Sequence, residues 1–259
     1  MSVATELHPL LASLKARLRA AHFRPGVLGV LSNPFYFARS ALHTALSQVA
    51  GQVGGRMLDV GCGHKPYAQL FHVTEHVGLE LDSPQARASA RADVFYDGQR
   101  FPFPDARFET VFASQVFEHV FNPDAFLAEV RRVLVPGGQL LMTMPFVWDE
   151  HEQPHDYARY SSFGITHLLE KHGFRKLVLH KSGADLSVVL QTWGMYVYKA
   201  VAPGAGWLKL GAAGLLTLPV NLMGQLLVPL CPKNPDLFLD LVVLAIKDPS
   251  PPHSSRSRM

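Results

Sequence analysis

Short apolar segments alternate with helix-like segments from Arg56 onward. Apolar runs bounded by turn residues indicate buried strands, and apolar positions that recur every three or four residues indicate helices. We predict strands at Met57–Val60, His76–Leu81, Ala92–Tyr96, Thr110–Ala113, Gln139–Met144, Phe174–His180 and Leu237–Ile246. We predict helices between them at Tyr67–Phe71, Asp124–Leu134 and Phe163–Lys171. This alternation predicts an α/β fold in which helices cover both faces of a mainly parallel sheet.

Two further helices are predicted before the first strand. Leucines between Leu7 and Leu18 recur at helical spacing, with basic residues on the opposite face. A second helix is predicted to begin at Asn33 as N-cap, with Pro34 in the first position, and to end at about Ala50.

The organisation of the chain follows from these elements. A long apolar insertion, residues 184–230, separates the last two predicted strands. We predict an N-terminal helical cap over residues 1–52 and an α/β domain over residues 53–247 that contains the insertion as helices. The Pro- and Ser-rich residues 248–259 are predicted to be a disordered tail.

Composition and charge exclude several classes of protein. Hydrophobic residues make up 48% of the chain and charged residues 17%, a balance that excludes a disordered protein. The net charge of +3 comes from basic residues near the two ends, so we predict no nucleic-acid partner. Two cysteines, Cys62 and Cys231, cannot build a disulfide framework, which indicates a reducing compartment. Because the first residues are polar and acidic, unlike a signal peptide, we predict a cytoplasmic location.

A glycine turn follows the first predicted strand. The sequence there is Leu58-Asp59-Val60-Gly61-Cys62-Gly63. Glycines let the backbone approach a ligand closely, at the sheet edge where open α/β folds bind ligands. Pro66 stands where a dinucleotide-binding turn has its third glycine, and the Asp59 carboxylate would repel a pyrophosphate. The turn therefore favours a cationic nucleoside over a dinucleotide.

Acidic residues follow the next two predicted strands. Glu80 lies near the end of the second strand, about 20 residues after the glycine turn, which is the spacing at which an acid binds ribose hydroxyls in such folds. Asp82 is a competing candidate. Asp97 follows the third strand and is a candidate acceptor for an adenine amino group. Each acid alone is typical of a helix cap or a solvated loop. Their convergence at one sheet edge instead indicates a nucleoside site.

The order and spacing of these motifs resemble the class I S-adenosylmethionine-dependent methyltransferases of the small single-domain type. The matching stretches are Leu58-Asp59-Val60-Gly61-Cys62-Gly63, Val77-Gly78-Leu79-Glu80, Asp97-Gly98-Gln99-Arg100-Phe101-Pro102-Phe103-Pro104-Asp105, Phe108-Glu109-Thr110-Val111, Glu118-His119-Val120 and Arg132-Val133-Leu134-Val135-Pro136-Gly137-Gly138. The resemblance implies an enzyme with a seven-stranded Rossmann-like sheet and S-adenosylmethionine as its cofactor.

The resemblance also implies roles for individual residues. The methionine end of the cofactor would lie at Asp59, Gly61 and Gly63, and the ribose hydroxyls at Glu80. The adenine would lie at Asp97 and Gly98. Ser114 and Gln115 would line the cleft beneath the methyl group.

Two segments are candidates for the acceptor side. His119 follows Glu118 in a triplet similar to that of small-molecule O-methyltransferases, and it is a candidate base, metal ligand or structural residue. Some of those enzymes hold a metal with an additional earlier glutamate; Gln115 stands at that position here, so we predict no metal. The loop after the fifth strand is either a structural loop or a substrate lid. We predict a lid that places His151 or His155 near the acceptor.

The apolar insertion leaves two interpretations open. Leu210–Leu230 carries no formal charge and is long enough to span a bilayer, but Pro219 and Asn221 weaken that interpretation. In the resembling family the last strand shares a sheet with the sixth, which excludes a single membrane crossing between them. The insertion either packs over the sheet above an apolar acceptor pocket, or residues 205–230 contact a membrane surface together with the N-terminal helix.

We therefore expect methyl transfer to a small-molecule or lipid-linked acceptor at oxygen. Transfer to nitrogen or carbon, and a cofactor-binding protein without catalysis, are the alternatives.

Overall fold

The computed structural model describes residues 23, 26–89, 91–201 and 206–249. Its strands are β1 (Arg56–Val60), β2 (Glu75–Leu81), β3 (Val94–Tyr96), β4 (Phe108–Ser114), β5 (Leu134–Pro145), β6 (Phe174–Ser182) and β7 (Asp240–Lys247). They form one seven-stranded sheet in the order β3-β2-β1-β4-β5-β7-β6. β7 runs antiparallel to both β5 and β6, whereas the pairs from β3 to β5 are parallel. The predicted α/β fold with a mainly parallel sheet is confirmed.

The central strands are apolar because both faces of the sheet are covered. In β1, β4 and β7 most side chains are buried, and the core includes Leu58, Val111 and Val243. Near-continuous apolar runs are typical of strands buried on both faces, and this is why these strands could be predicted from the sequence. The parallel register aligns the carboxyl ends of β1, β2 and β4 at one edge of the sheet.

The described helices lie before the first strand or between strands along the chain. They are α1 (Val27–Ser32), α2 (Tyr36–Val49), α3 (Pro84–Ser89), α4 (Pro123–Val133), α5 (Ser162–Lys171), α6 (Ser187–Val201) and α7 (Gly206–Leu227). The side chain of Asn122 caps α4 by accepting a hydrogen bond from the Ala125 N–H, and Pro123 occupies the first position. Phe126, Leu127 and Val130 form part of the buried face of this helix.

Several predicted boundaries differ from the observed ones. The helix predicted at Tyr67–Phe71 is a single 3₁₀ turn, Ala68–Leu70, since the segment is too short for a stable α-helix. The helix predicted from Pro34 begins at Tyr36, and the Asn33 side chain accepts from the Phe35 N–H. The leucine-rich N-terminal helix and residues 250–259 of the predicted tail lie outside the described residues.

The chain divides into two compact units. One comprises the described residues of 45–182 and 238–249, and it contains the sheet. The other comprises the described residues of 23–44 and 183–237, so residues 26–44 of the predicted cap share a unit with the predicted insertion, whereas residues 45–52 belong to the unit with the sheet. In this helical unit, the Asn221 amide on α7 donates to the carbonyls of Val30 and Asn33, which satisfies buried polar groups.

The helical unit exposes apolar side chains. None of the helices in the described ranges has the length and hydropathy of a membrane-spanning segment. Nevertheless, Leu215 and Leu226 on α7 are each 72% exposed, and Trp193 and Tyr196 on α6 are also exposed.

Candidate cofactor and acceptor site

A cleft opens at the carboxyl ends of β1, β2 and β4. Its volume is about 740 Å³, within the range of small-molecule sites. All of its lining residues belong to the unit that contains the sheet. They are Gly61, Glu80, Leu81, Tyr96, Gly98, Gln99, Phe101, Gln115, Val116, His119, Val120, Phe121, Asn122, Ala125, Phe126, Glu129 and Glu152.

The glycine turn forms one wall of the cleft. Gly61 has a φ of +63°, and a Cβ at this position would collide with the Val116 side chain. Only glycine combines this backbone conformation with so close an approach. Gly63 has a φ of +47° and donates its N–H to the Glu80 carboxylate at 2.8 Å, but it does not line the cleft.

Of the two acids that competed for the ribose, Glu80 lines the cleft. Its Oε2 accepts from the Gly63 N–H, and its Oε1 accepts from the Leu81 N–H at 3.1 Å. These bonds fix the carboxylate at the end of β2. Asp82 instead pairs with Arg87 at 2.6 Å on the exposed surface. The geometry therefore favours Glu80 as the ribose ligand.

Apolar side chains form the part of the cleft beyond Glu80. Leu81, Phe101 and Phe126 line it together with Gly98, which has a φ of +83°. Asp97 does not line the cleft: its Oδ1 accepts from the backbone N–H groups of Gln99 and Arg100 in an exposed turn. The apolar wall and Gly98 suit a flat nucleobase.

Two other predicted cofactor residues are engaged within the sheet. The buried Asp59 carboxylate accepts a hydrogen bond from His76 at 2.9 Å, and burial raises the pKa of Asp59. The Ser114 hydroxyl lies 2.8 Å from that of Thr143. Neither residue lines the cleft, so the predicted contact of Asp59 with the methionine end stays a prediction. Gln115 does line it, and its amide donates to Thr143 and Asp240.

A 3₁₀ turn, Phe117–His119, brings titratable groups to the end of the cleft that follows β4. The Glu118 side chain is 0% exposed, and burial raises the pKa of Glu118 to about 8. His119 lines the cleft and is half-buried, and the loss of solvent lowers the pKa of His119. Nε2 of His119 lies 3.8 Å from Oε1 of Glu118.

The loop of residues 146–160 is attached to this turn. Nδ1 of His119 lies 2.8 Å from the His155 carbonyl oxygen, and the Tyr157 N–H donates to the Glu118 carbonyl. The rings of His119 and His151 meet edge to face, with centroids 4.8 Å apart. Two of the three predicted histidines thus come together. The third, His155, is exposed, and its ring bonds the Tyr157 hydroxyl outside the cleft lining.

An ion pair stabilises the same loop. Asp156 and Arg159 are bound through two pairs of atoms, at 2.6 and 2.7 Å. The guanidinium holds the pKa of Asp156 down at about 2. The Asp156 carboxylate also accepts from the His151 N–H and so positions that histidine.

Sequence reasoning missed several lining residues. Glu152 on the loop, Phe101 after β3, and Phe126 on α4 face the cleft from distant parts of the chain. Because these residue types are common in loops and helix faces, the sequence carried no signal that distinguished them.

Comparisons with known proteins agree with this geometry. A family model described as "Methyltransferase domain" matches residues 58–142. The chain is 36% identical over 112 residues to a fatty-acid O-methyltransferase of Mycolicibacterium smegmatis, covering 39% of this chain and 40% of that protein. It is 35% identical over 121 residues to phthiotriol/phenolphthiotriol dimycocerosates methyltransferase 1 of Mycobacterium ulcerans, covering 41% of each. The chain thus spans about two fifths of the length of these curated relatives.

Solved structures share the fold at low identity. The phosphoethanolamine N-methyltransferase 2 of Haemonchus contortus, in complex with S-adenosyl-L-methionine, aligns with a TM-score of 0.53 at 17% identity. That alignment covers 85% of this chain and 55% of the other. The [4+2]-cyclase SpnF aligns with a TM-score of 0.52 at 19% identity, over 82% and 83% of the two chains. Residues 58–142 therefore match a methyltransferase domain, and the sheet that contains them has the fold of the class I S-adenosylmethionine-dependent methyltransferases.

Proposed function

We propose that this chain transfers the methyl group of S-adenosylmethionine to an oxygen atom of a small-molecule or lipid-linked acceptor. The observation that carries the proposal is the fixed Glu80 carboxylate in the cleft, opposite an apolar wall and beside a glycine that no larger residue could replace. This arrangement suits a nucleoside whose ribose donates two hydroxyl protons.

The residues present fit the cofactor. A Cβ at Gly61 would fill the backbone cradle, and Gly98 with Phe101 leaves a flat apolar slot. When bound, S-adenosylmethionine supplies a methyl carbon already activated by a sulfonium. The protein therefore contributes by orienting the two reactants and excluding water. In favourable cases such orientation lowers the activation free energy by about 7–11 kcal/mol. Val116, Val120 and Phe121 contribute apolar surface for this purpose.

The acceptor side is proposed to lie at His119 and His151. Both are half-buried, their rings are in contact, and His119 lines the same cleft as Glu80. The names of the curated relatives support an oxygen acceptor, because one is a fatty-acid O-methyltransferase and others, such as the 27-O-demethylrifamycin SV methyltransferase of Amycolatopsis mediterranei, also name oxygen. An apolar hydroxyl or carboxyl compound is the acceptor class that we propose.

The test is a turnover assay with the full chain, S-adenosylmethionine and a panel of acceptors. The panel contains long-chain fatty acids, long-chain alcohols and phenols, with matched amines as controls. We expect S-adenosylhomocysteine to form only with oxygen acceptors, together with a methyl ester or ether of equal amount. Turnover confined to the amines would contradict transfer to oxygen, and cofactor binding without turnover would favour a binding protein.

We also propose that the helical unit contacts lipid surfaces peripherally. Leu215, Leu222 and Leu226 lie on one exposed stripe of α7, and Trp193 with Tyr196 is exposed on α6. Exposed leucines beside Trp and Tyr are typical of surfaces that enter a membrane interface. The basic N-terminal helix, which was predicted to contact the membrane together with this unit, lies outside the described residues.

Co-sedimentation with anionic phospholipid vesicles tests this contact. Burying leucine side chains contributes about 1.5–3 kcal/mol each, so Leu222→Asp with Leu226→Asp should lower the bound fraction at least about tenfold. Leu177→Asp, which changes an exposed leucine of β6 in the other unit, is the matched control and should sediment like the unmodified chain. Absence of sedimentation by the unmodified chain would contradict the contact.

A further inference from the structure

The Glu118 carboxylate is buried and lacks a hydrogen-bond partner in the part of the chain that the structure describes. Its side chain is 0% exposed, and neither oxygen has a partner among the described residues. A buried carboxylate without hydrogen bonds is costly, and proteins normally keep one where it binds a cation or a catalytic partner. The methyl-transfer geometry described above gives Glu118 no role.

His119 directs a ring nitrogen toward this carboxylate. Its Nδ1 lies 2.8 Å from the His155 carbonyl oxygen, which can only accept, so Nδ1 carries the proton. Nε2 is then left with its lone pair, 3.8 Å from Oε1 of Glu118. A histidine whose second nitrogen donates to a carbonyl is the usual arrangement of a metal ligand.

His151 is held in the same way. Its Nδ1 lies 3.2 Å from the Asp149 carbonyl oxygen and 3.3 Å from the Asp156 carboxylate. This environment places the proton on Nδ1 and leaves the lone pair on Nε2. Arg159 in turn binds the Asp156 carboxylate at 2.6 Å.

The three residues offer ligand atoms in one place. One atom from each of Glu118, His119 and His151 lies within 4.8 Å of the other two. Ligands of a single zinc ion, bound at about 2.0–2.2 Å, lie about 3.5 Å apart, so the side chains would need to close by about 1 Å. His151 lies on a loop outside regular structure, which permits such a movement. Two imidazoles and one carboxylate suit zinc, iron(II) and similar divalent ions.

We propose that Glu118, His119 and His151 bind one divalent transition-metal ion at the end of the cofactor cleft. Because His119 lines the cleft, the remaining coordination positions would face the acceptor. This inference rests on the proposed function for its role: the ion would bind the acceptor hydroxyl and lower its pKa. The hydroxyl proton leaves to water, the oxygen forms a bond to the methyl carbon, and the carbon–sulfur bond breaks with its electron pair going to sulfur.

The predicted absence of a metal rested on Gln115. In the structure the Gln115 amide is bonded to Thr143 and Asp240, and His151 supplies the third donor instead. This set of donors could not be predicted from the sequence, because His151 lies close to the turn of Glu118 and His119 only as a result of the conformation of the loop of residues 146–160.

The test is titration of the folded full chain with Zn²⁺ and Co²⁺ after treatment with a chelator. Calorimetry and the visible absorption of bound Co²⁺ measure the binding. We expect one ion per chain. Glu118→Gln and His151→Ala should each lower the affinity at least about 100-fold, since each removes a direct ligand. His155→Ala changes an exposed histidine of the same loop and should keep the metal affinity within about twofold.

The outcomes separate the metal site from the proposed function. No binding by the folded chain, or equal affinity in Glu118→Gln and the unmodified chain, would overturn the site. Circular dichroism of each variant identifies one that fails to fold, and the Co²⁺ spectrum of His119→Ala then provides the second ligand test. If chelated protein keeps full methyl transfer, the role of the ion is overturned and a base at His119 replaces it, while the proposed function stands.

Discussion

Replacing Glu80 by glutamine is expected to weaken the binding of S-adenosylhomocysteine about 10- to 100-fold, because hydrogen bonds to a charged group contribute about 1.5–3 kcal/mol. The carboxylate already accepts from the backbone N–H groups of Gly63 and Leu81, and its remaining lone pairs face the cleft. Glutamine keeps the size of the side chain but replaces one acceptor oxygen with a donor. Isothermal titration calorimetry on both proteins measures the difference.

The matched control for this prediction is Asp82→Asn. Asp82 lies two residues further along, is exposed and is paired with Arg87, so its loss should change the affinity less than about twofold, as for other surface ion pairs. Equal losses in the two variants would show that general negative charge at this edge matters, rather than a specific carboxylate. Unchanged affinity in Glu80→Gln would remove the ribose assignment.

Alanine at Gly61 is expected to destabilise the sheet-containing unit and to abolish most cofactor binding. The φ of +63° costs a residue with a Cβ about 1–2 kcal/mol, and the collision with Val116 adds about 1–3 kcal/mol of overpacking. The new methyl group also pushes on a wall of the cleft, because both Gly61 and Val116 line it. Urea unfolding and calorimetric titration report the two effects separately.

Gly63→Ala is the control that distinguishes the cost of the backbone conformation from the cost of the steric collision with Val116. Gly63 has a φ of +47°, but apart from its chain neighbours no heavy atom of the described residues lies within 4 Å of the position of its Cβ, so only the backbone cost of about 1–2 kcal/mol applies. Adding Val116→Ala to Gly61→Ala should recover the part of the loss that comes from crowding. If the two glycine variants are equally stable, the close approach of Gly61 to Val116 has no energetic consequence.

The sheet could be predicted well from the sequence, for a physical reason. Strands such as β4 and β7 are buried on both faces, so their apolar runs are continuous and bounded by turn residues. The short polar helix α3 and the 3₁₀ turn after Pro66 could not be predicted, because neither buries a periodic apolar face. Their conformation depends on contacts made after the sheet has formed.

The candidate site was predictable only where the backbone itself carries the signal. Gly61 and Glu80 belong to a turn and a strand end whose positions follow from the chain order. The sequence did not reveal that Asp59 bonds His76 or that Ser114 bonds Thr143, since each partner comes from a neighbouring strand. Neither Asp59 nor Ser114 lines the cleft, and their contact with the cofactor stays a prediction.

We propose that the cleft at the ends of β1, β2 and β4 binds S-adenosylmethionine. The most direct measurement is calorimetric titration of S-adenosylhomocysteine into the unmodified, folded chain. We predict saturable one-to-one binding in the micromolar range or tighter, with competition by S-adenosylmethionine. A chain that unfolds cooperatively on heating yet gives no binding heat and no thermal shift with either compound would contradict the claim.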